Sequence, residues 1–133
     1  KKQILFVTDA TTKGLIQSCH DISEGGLLMA LFEMCLPWRG GEQRFGMEVD
    51  LVGMLQDLPA EKTLFSETGG FVLTVGRQHT KLLQECADGH GVPLHAIGTT
   101  TAEPTLKVCQ VASFDLPELV ALWQKPLSDI LDL

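Results

Sequence analysis

Apolar and polar residues follow two different periods along the chain. From Phe45 to Leu51 every second residue is apolar, and glycine, glutamate and aspartate lie between them. This period of two predicts a β-strand with one buried and one solvated face. From Leu27 to Leu36 every residue except Glu33 is apolar, which predicts a helix that is buried on most sides.

Glycine, proline and polar clusters divide the rest of the chain into further elements. Predicted strands cover residues 15–19, 71–75, 92–100 and 105–111, the last two as a hairpin, and predicted helices cover residues 59–64 and 78–88. Gly89 is predicted to end the second helix, whose buried stripe contains Leu82, Leu83, Cys86 and Ala87. Residues 1–14 suit a strand by propensity and a helix by apolar spacing. These elements predict an α+β layered domain with a mixed sheet of about five strands.

The last predicted element is a helix with a well-marked start. Asp115 and Glu118 have the spacing of a capping box, and Pro117 stands in the first turn. Apolar residues continue at helical spacing as far as Leu131. Pro126 removes one backbone donor within this run, so we expect a kink or two shorter helices.

Length and charge limit the function classes. The 133 residues predict a single domain spanning 1–133. The net charge of −7 argues against a general nucleic-acid or anionic-membrane surface, although local N–H groups can still hold a small anion. No apolar run approaches the roughly 20 residues of a membrane span, and there is no signal peptide, so a cytoplasmic location is expected. Because the chain starts at Lys1 without a methionine, we expect it to be a piece of a longer protein.

The four cysteines do not form a recognisable ligand or redox motif. Cys19, Cys35, Cys86 and Cys109 are far apart and include no C-x-x-C pair, so the sequence does not predict a zinc site. An even number permits two disulfides, but each cysteine lies in an apolar segment where a buried thiol is more common.

The stretch from Cys19 to Met34 contains the best candidate for a binding site. A predicted strand is followed by the polar, glycine-rich segment 20–26 and then by the buried helix. Ser23 stands where a helix N-cap is expected, and the free N–H groups of a first turn attract anions. Gly25 and Gly26 would let a phosphate approach the backbone closely. The alternative is a tight turn with a purely structural role.

Several other side chains are chemically suggestive but not specific. His20 beside Asp21 could act as a general base, although neighbours at a strand end point to opposite faces. Cys19 beside His20 suggests a nucleophile, but no sequence feature indicates a lowered pKa. The carboxylates that could bind Mg²⁺ are Asp21, Glu24, Asp50 and Glu67, of which Glu67, just before Gly69 and Gly70, is the strongest candidate.

The remaining histidines and the loop arginines are weaker candidates. His79, His90 and His95 form no spaced ligand set, and the first two are predicted to face solvent. Arg39 and Arg44 lie in the loop 37–44 and could help to hold phosphate, although most such charges are merely solvated.

The block His20-Asp21-Ile22-Ser23-Glu24-Gly25-Gly26-Leu27 resembles a motif of the phosphoribosylformylglycinamidine synthases. Those enzymes belong to the aminoimidazole ribonucleotide synthetase-like superfamily, and the block opens the C-terminal domain of their synthetase. Supporting similarities are found at residues 64–67, 92–99 and 116–127. The loop 38–44 looks long for the family, and Thr68-Gly69-Gly70 replaces a more polar turn.

The resemblance implies a fold and an activity. The fold would be a layered α/β/α domain in which residues 1–14 form a helix. The complete enzyme would use ATP, Mg²⁺ and ammonia from glutamine to convert formylglycinamide ribonucleotide to its amidine in purine biosynthesis. The partners would be the other synthetase domains, a glutaminase subunit or domain, and in some forms a small bridging subunit.

The resemblance assigns this chain a supporting part within such an enzyme. It would be the final domain of a tandem two-domain unit, with no catalytic residue of its own, and by itself it would be inactive and require no cofactor. The predicted phosphate or nucleotide contacts are Asp21, Ser23, Gly25 and Gly26, with Glu67 and His20 as possible cleft or metal residues. Two alternatives stay open: a non-catalytic interaction or scaffold domain, and a domain of another enzyme of the superfamily such as aminoimidazole ribonucleotide synthetase.

Overall fold

A computed structural model describes residues 1–37, 41–42, 45–52, 54, 59–108 and 112–131, with side chains as far as residue 126. Its helices are α1 (Lys2–Thr12), α2 (Gly26–Cys35), α3 (Ala60–Leu64), α4 (Thr80–His90) and α5 (Leu116–Leu131), and a 3-10 turn (Arg77–His79) precedes α4. Its strands are β1 (Ser18–Asp21), β2 (Gly46–Val49), β3 (Phe71–Thr74), β4 (Gly98–Thr101), β5 (Thr105–Val108) and β6 (Ala112–Asp115).

The α+β class is confirmed, and the order of elements is as predicted except for β6, which the sequence analysis missed. The described strands form a two-stranded antiparallel sheet and a four-stranded mixed sheet rather than one sheet of about five strands. Contacts divide the chain into two compact units. The first comprises Lys1–Met34 and Glu61–Ala96, and the second comprises Cys35–Ala60 and Ile97–Leu133.

Two helices that are far apart in sequence form the core of the first unit. The segment 1–14 contains the helix α1, as the resemblance implied, and α1 packs against α4. The buried residues of this cluster are Phe6, Ala10, Leu15, Leu83, Cys86, Ala87 and Val92. Leu82, predicted to lie on the same stripe, is instead 50% exposed. It precedes Leu83 by one residue, and one step along a helix turns a side chain by about 100°.

The two-stranded sheet pairs β1 with β3. The strands are antiparallel, with His20 opposite Val72 and Asp21 opposite Phe71. The prediction of a buried strand at 15–19 was wrong in position and burial, because β1 begins at Ser18 and is mostly exposed. Leu15 is buried, but it lies in the connection after α1 and joins the helical core instead.

The second unit contains the mixed sheet, in the order β4-β2-β5-β6. The predicted hairpin of 92–100 with 105–111 was wrong, because β2 lies between β4 and β5 and pairs antiparallel with one and parallel with the other. Gly46 permits this insertion, since a Cβ there would collide with the backbone oxygen of Thr105. Residues 92–97, predicted as the start of this strand, lie outside any described strand or helix.

The predicted alternation of buried and exposed residues along β2 is confirmed. Met47 and Val49 are buried, and Glu48 between them is exposed. In the parallel pair Met47 is opposite Leu106, and Val49 is opposite Val108. The two strands therefore contribute one continuous apolar face.

The observed helix ends agree with some of the predicted capping residues and helix breaks and not with others. The backbone N–H of Glu118 donates to Asp115 Oδ1 at 2.9 Å, which confirms the predicted cap of α5. α5 continues through Pro126 as one helix rather than two. α4 ends at the left-handed Gly91 (φ 61°) instead of Gly89, which lies within the helix. Among the described helices, none has the length and apolar character needed to cross a membrane.

Candidate functional site

The candidate site is a corner of the first unit where β1 leads into α2. β1 ends at Asp21, and α2 begins at Gly26. The N–H of Ile22 donates to the carbonyl of Gly70 at 2.9 Å, which continues the β1–β3 pairing past the strand ends. The loop 66–70 is thereby held beside the loop 22–25, and the two sequence motifs that were predicted separately meet here.

Glu67 provides the clearest polar contact of this corner. Its carboxylate Oε1 accepts a hydrogen bond of 2.9 Å from the backbone N–H of Gly25. The donor lies just before the first turn of α2, where backbone N–H groups lack helical partners and favour negative charge. The corner therefore already holds an anion, which is the protein's own carboxylate.

The paired glycines are required by backbone geometry. Gly25 and Gly26 have φ angles of 78° and 69°, in the left-handed region. Gly26 is also buried, and a Cβ there would lie 2.7 Å from the carbonyl oxygen of Leu64. Close approach to the chain at the end of α3 therefore explains Gly26 without any ligand.

Ser23 lies two residues further from the helix than expected. α2 begins at Gly26, so Gly25 occupies the capping position, and the Ser23 carbonyl accepts a 3.1 Å bond from the Gly26 N–H. The prediction that Ser23 is the N-cap was therefore wrong. Asp21, Ser23 and Glu24 are all exposed, so their side chains are accessible from solvent.

His20 is oriented by two oxygen atoms. Its Nδ1 lies 2.7 Å from the carbonyl oxygen of Asp21, and its Nε2 lies 3.2 Å from Glu33 Oε2. The Asp21 carboxylate is further away, at 3.8 Å from Nδ1. Each ring nitrogen therefore faces an oxygen, so these two contacts hold the ring in one orientation. Glu33, the one charged residue of α2, was not singled out from the sequence.

Three of the predicted magnesium carboxylates, Asp21, Glu24 and Glu67, lie in the first unit, and they are not close enough together to share one ion. Asp50 lies in the second unit, where its Oδ1 accepts from the N–H of Val52 at 2.9 Å. Within the described part of the chain, one group of three potential ligands is close enough to share a metal ion, and it consists of Asp9, Cys86 and His90. The prediction that His90 faces solvent was wrong, because its ring contacts Asp9 at 3.0 Å.

None of the three described thiols is activated, because each has a raised pKa. Cys19 is exposed, yet partial desolvation and the nearby Asp21 carboxylate raise its pKa above the usual value. The thiolate that a nucleophile requires is thus disfavoured. Cys35 and Cys86 are buried thiols, as predicted, and burial raises the pKa of Cys35 to about 11. Arg39 and Arg44, like Cys109, lie outside the described residues.

A family model for "AIR synthase related protein, C-terminal domain" matches residues 1–109. The chain belongs to this family. The match includes β1, α2 and the whole of the corner described above. The resemblance inferred from the block 20–27 is thereby confirmed at the level of the family.

Relatives of this AIR synthase related domain are synthetase subunits. The chain is 33% identical over 123 residues to the phosphoribosylformylglycinamidine synthase subunit PurL of Cutibacterium acnes, covering 91% of this chain and 15% of that protein. It is 31% identical over 128 residues to the PurL of Thermus thermophilus, covering 95% of this chain and 16% of that protein. The chain therefore spans about one sixth of the length of these relatives.

Solved structures of T. maritima PurL share the fold. The structure complexed with ATP superimposes with a TM-score of 0.74 at 20% identity, over 89% of this chain and 21% of that one. The structure complexed with AMPPCP gives a TM-score of 0.73 over the same share of each chain.

Proposed function

We propose that this chain is the closing synthetase-type domain of a phosphoribosylformylglycinamidine synthase. In the complete enzyme, the corner formed by residues 21–26 and Glu67 would supply one wall of a phosphate or nucleotide cleft. The similarity to PurL subunits supports the assignment to this enzyme. The solved PurL complexes with ATP and FGAR support a nucleotide and a phosphate-bearing ribonucleotide as its ligands.

The proposed reaction belongs to the complete enzyme. Formylglycinamide ribonucleotide, glutamine, ATP and water become formylglycinamidine ribonucleotide, glutamate, ADP and phosphate. ATP activates the amide oxygen, and ammonia released from glutamine displaces phosphate. A glutaminase subunit or domain supplies the ammonia, and a small bridging subunit joins some forms. This domain contributes no catalytic residue, is inactive by itself, and works in the cytoplasm.

The contact between Glu67 and Gly25 is the observation that carries the proposal. A phosphate oxygen accepts the same kind of hydrogen bond as the Glu67 carboxylate, so the mouth of α2 has the donor that a phosphate needs. The corner also carries the exposed carboxylates of Asp21, Glu24 and Glu67, which would repel a bare phosphate. A nucleotide bridged by Mg²⁺ would remove this repulsion, because carboxylates and phosphates are both hard oxygen ligands.

A scaffold domain is the second candidate, and one observation favours it. The Leu64 carbonyl oxygen lies too close to Gly26 for any larger residue, so packing alone explains the glycine corner. In this alternative the domain stabilises the synthetase through contacts with its other domains. A third candidate is the same role in aminoimidazole ribonucleotide synthetase, which an assay of the complete enzyme for conversion of formylglycinamide ribonucleotide would distinguish.

Binding of AMPPCP to the complete synthetase tests the nucleotide wall. We expect Asp21→Asn and Ser23→Ala to weaken Mg²⁺–AMPPCP binding by about tenfold each, the effect of losing a charge-assisted contact. Asp50→Asn, in the second unit, is the matched control and should bind like the parent. If Asp21→Asn and Ser23→Ala bind Mg²⁺–AMPPCP as tightly as the parent and unfold at the same temperature, the nucleotide wall is excluded and the scaffold role is favoured.

A further inference from the structure

Three different ligand atoms converge between α1 and α4. Asp9 Oδ2 lies 3.0 Å from His90 Nε2 and 3.4 Å from Cys86 Sγ. All three ligand atoms lie within 4.8 Å of one another. Carboxylate oxygen, thiol sulfur and imidazole nitrogen together form a donor set typical of zinc.

The helical core places these side chains together. Cys86 and His90 are four residues apart on α4, so they lie on the same helix face. Asp9 precedes Ala10, which is fully buried in the contact of α1 with α4. The ring of His90 also packs near Phe6, with centroids 6.3 Å apart. The positions of the ligands are therefore fixed by the same packing that folds the first unit.

The spacing suits a tetrahedral ion. With metal–ligand bonds of about 2.0 Å to nitrogen and oxygen and about 2.3 Å to sulfur, tetrahedral ligands are separated by roughly 3.3 Å for N and O and roughly 3.5 Å for S and O. The observed separations of 3.0 Å between Asp9 and His90 and 3.4 Å between Asp9 and Cys86 are close to these values, and the third pair, His90 Nε2 and Cys86 Sγ, lies within 4.8 Å. Asp9 and His90 are about one-third exposed, which leaves a path for the ion and a position for water.

A cation already lies against the cluster. The ammonium of Lys13 is 2.8 Å from Asp9 Oδ2 and 3.9 Å from Cys86 Sγ. Its hydrogen bond, followed by those from His90 and Cys86, holds the pKa of the Asp9 carboxyl well below its usual range. The Lys13 side chain is 53% exposed, so it can leave toward solvent when a metal ion enters.

We propose that Asp9, Cys86 and His90 form a three-ligand site for a zinc-like divalent cation, with water in the fourth position. On binding, the Cys86 thiol loses its proton to solvent and becomes a thiolate ligand, neutral His90 supplies a ring nitrogen, and Lys13 moves away as an ammonium. No electrons are transferred. This site is separate from the corner at 21–26, and it stands whether or not the proposed synthase function is correct.

Cobalt titration of the chain is the direct test, because Co²⁺ replaces Zn²⁺ and reports its ligands spectroscopically. We expect one equivalent of Co²⁺ to produce a near-ultraviolet thiolate-to-cobalt charge-transfer band, which Zn²⁺ then abolishes by displacement. Cys86→Ser should lose the band and weaken Zn²⁺ binding by more than about tenfold. His90→Gln should weaken Zn²⁺ binding to a similar extent.

Matched variants separate the site from general thiol or histidine binding. Cys19→Ser removes an exposed thiol, and His95→Gln removes an exposed imidazole, and both should bind Zn²⁺ like the parent. Lys13→Met should tighten binding by about fivefold, the upper end for an exposed charge. Absence of the band in the parent, or a band of equal strength in Cys86→Ser, would overturn the proposal.

Discussion

The carboxylate of Glu67 and the N–H of Gly25 are separated by 42 positions in the chain and meet at 2.9 Å. This bond joins the loop after α3 to the mouth of α2, and so links the two motifs that were predicted separately. An acceptor at this place satisfies a donor that the helix cannot satisfy itself. This hydrogen bond is the basis of both the first stability prediction and the proposed binding role.

Removing this acceptor should lower stability without unfolding the domain. We expect Glu67→Ala to reduce the free energy of unfolding by about 1 kcal/mol, because the Gly25 N–H loses a partner of the N-cap kind. Glu67→Gln keeps a carbonyl oxygen and should cost less. Urea denaturation measures both, with Glu24→Ala as the control in the same corner. Equal losses in Glu67→Gln and Glu67→Ala would show that charge, and not the hydrogen bond, matters.

Gly26 and Gly14 allow backbone strain to be separated from steric collision. Both have positive φ, 69° and 67°, but an added Cβ meets the Leu64 carbonyl oxygen at Gly26 and nothing within 4 Å at Gly14. Gly14→Ala should therefore cost about 1 kcal/mol, the left-handed strain alone, and Gly26→Ala more than about 3 kcal/mol. Thermal or urea unfolding compares them. Similar losses in the two variants would contradict the packing assigned to Gly26.

Asp115 should stabilise α5 through its side-chain oxygen. Its Oδ1 accepts from the Glu118 N–H, so Asp115→Ala should reduce the free energy of unfolding by about 1 kcal/mol. Asp115→Asn retains an oxygen at the same place and should keep most of that stability. Urea unfolding followed by circular dichroism measures this loss of unfolding free energy. If Asn and Ala were equally destabilising, the cap would be electrostatic and not geometric.

Cys35 should make the domain sensitive to alkali. Burial raises the pKa of its thiol to about 11, so the thiol ionises less readily in the folded state than in the unfolded state. Its contribution to stability is complete below a pH of about 9 and is lost as the pH rises through about 11. Between a pH of about 8 and about 10.5 the parent should lose more unfolding free energy than Cys35→Ala. Parallel pH curves for the two proteins would contradict this linkage.

Local sequence patterns predicted the elements in which the order of apolar and polar residues matches the order of buried and exposed positions. The alternation from Phe45 to Leu51 corresponds to β2, where Met47 and Val49 are buried and Glu48 is exposed. The apolar run 27–36 corresponds to α2, whose apolar residues are mostly buried or half-buried. The cap at Asp115 was predictable because donor and acceptor are three residues apart. By contrast, β6 is as long as β2 but has no fully buried residue, so its apolar positions, Ala112 and Phe114, give a weaker pattern.

The amino-acid sequence by itself determined the α+β class, the main helices and the glycine corner, since these depend on periodicity, propensity and neighbours within one turn. It also contained the block 20–27, which indicated the family. Only the tertiary structure decided the insertion of β2 between β4 and β5, the contact of Glu67 with Gly25, and the cluster of Asp9 with Cys86 and His90. Each of these joins residues tens of positions apart, and chain packing, which no local pattern encodes, determines which of them meet.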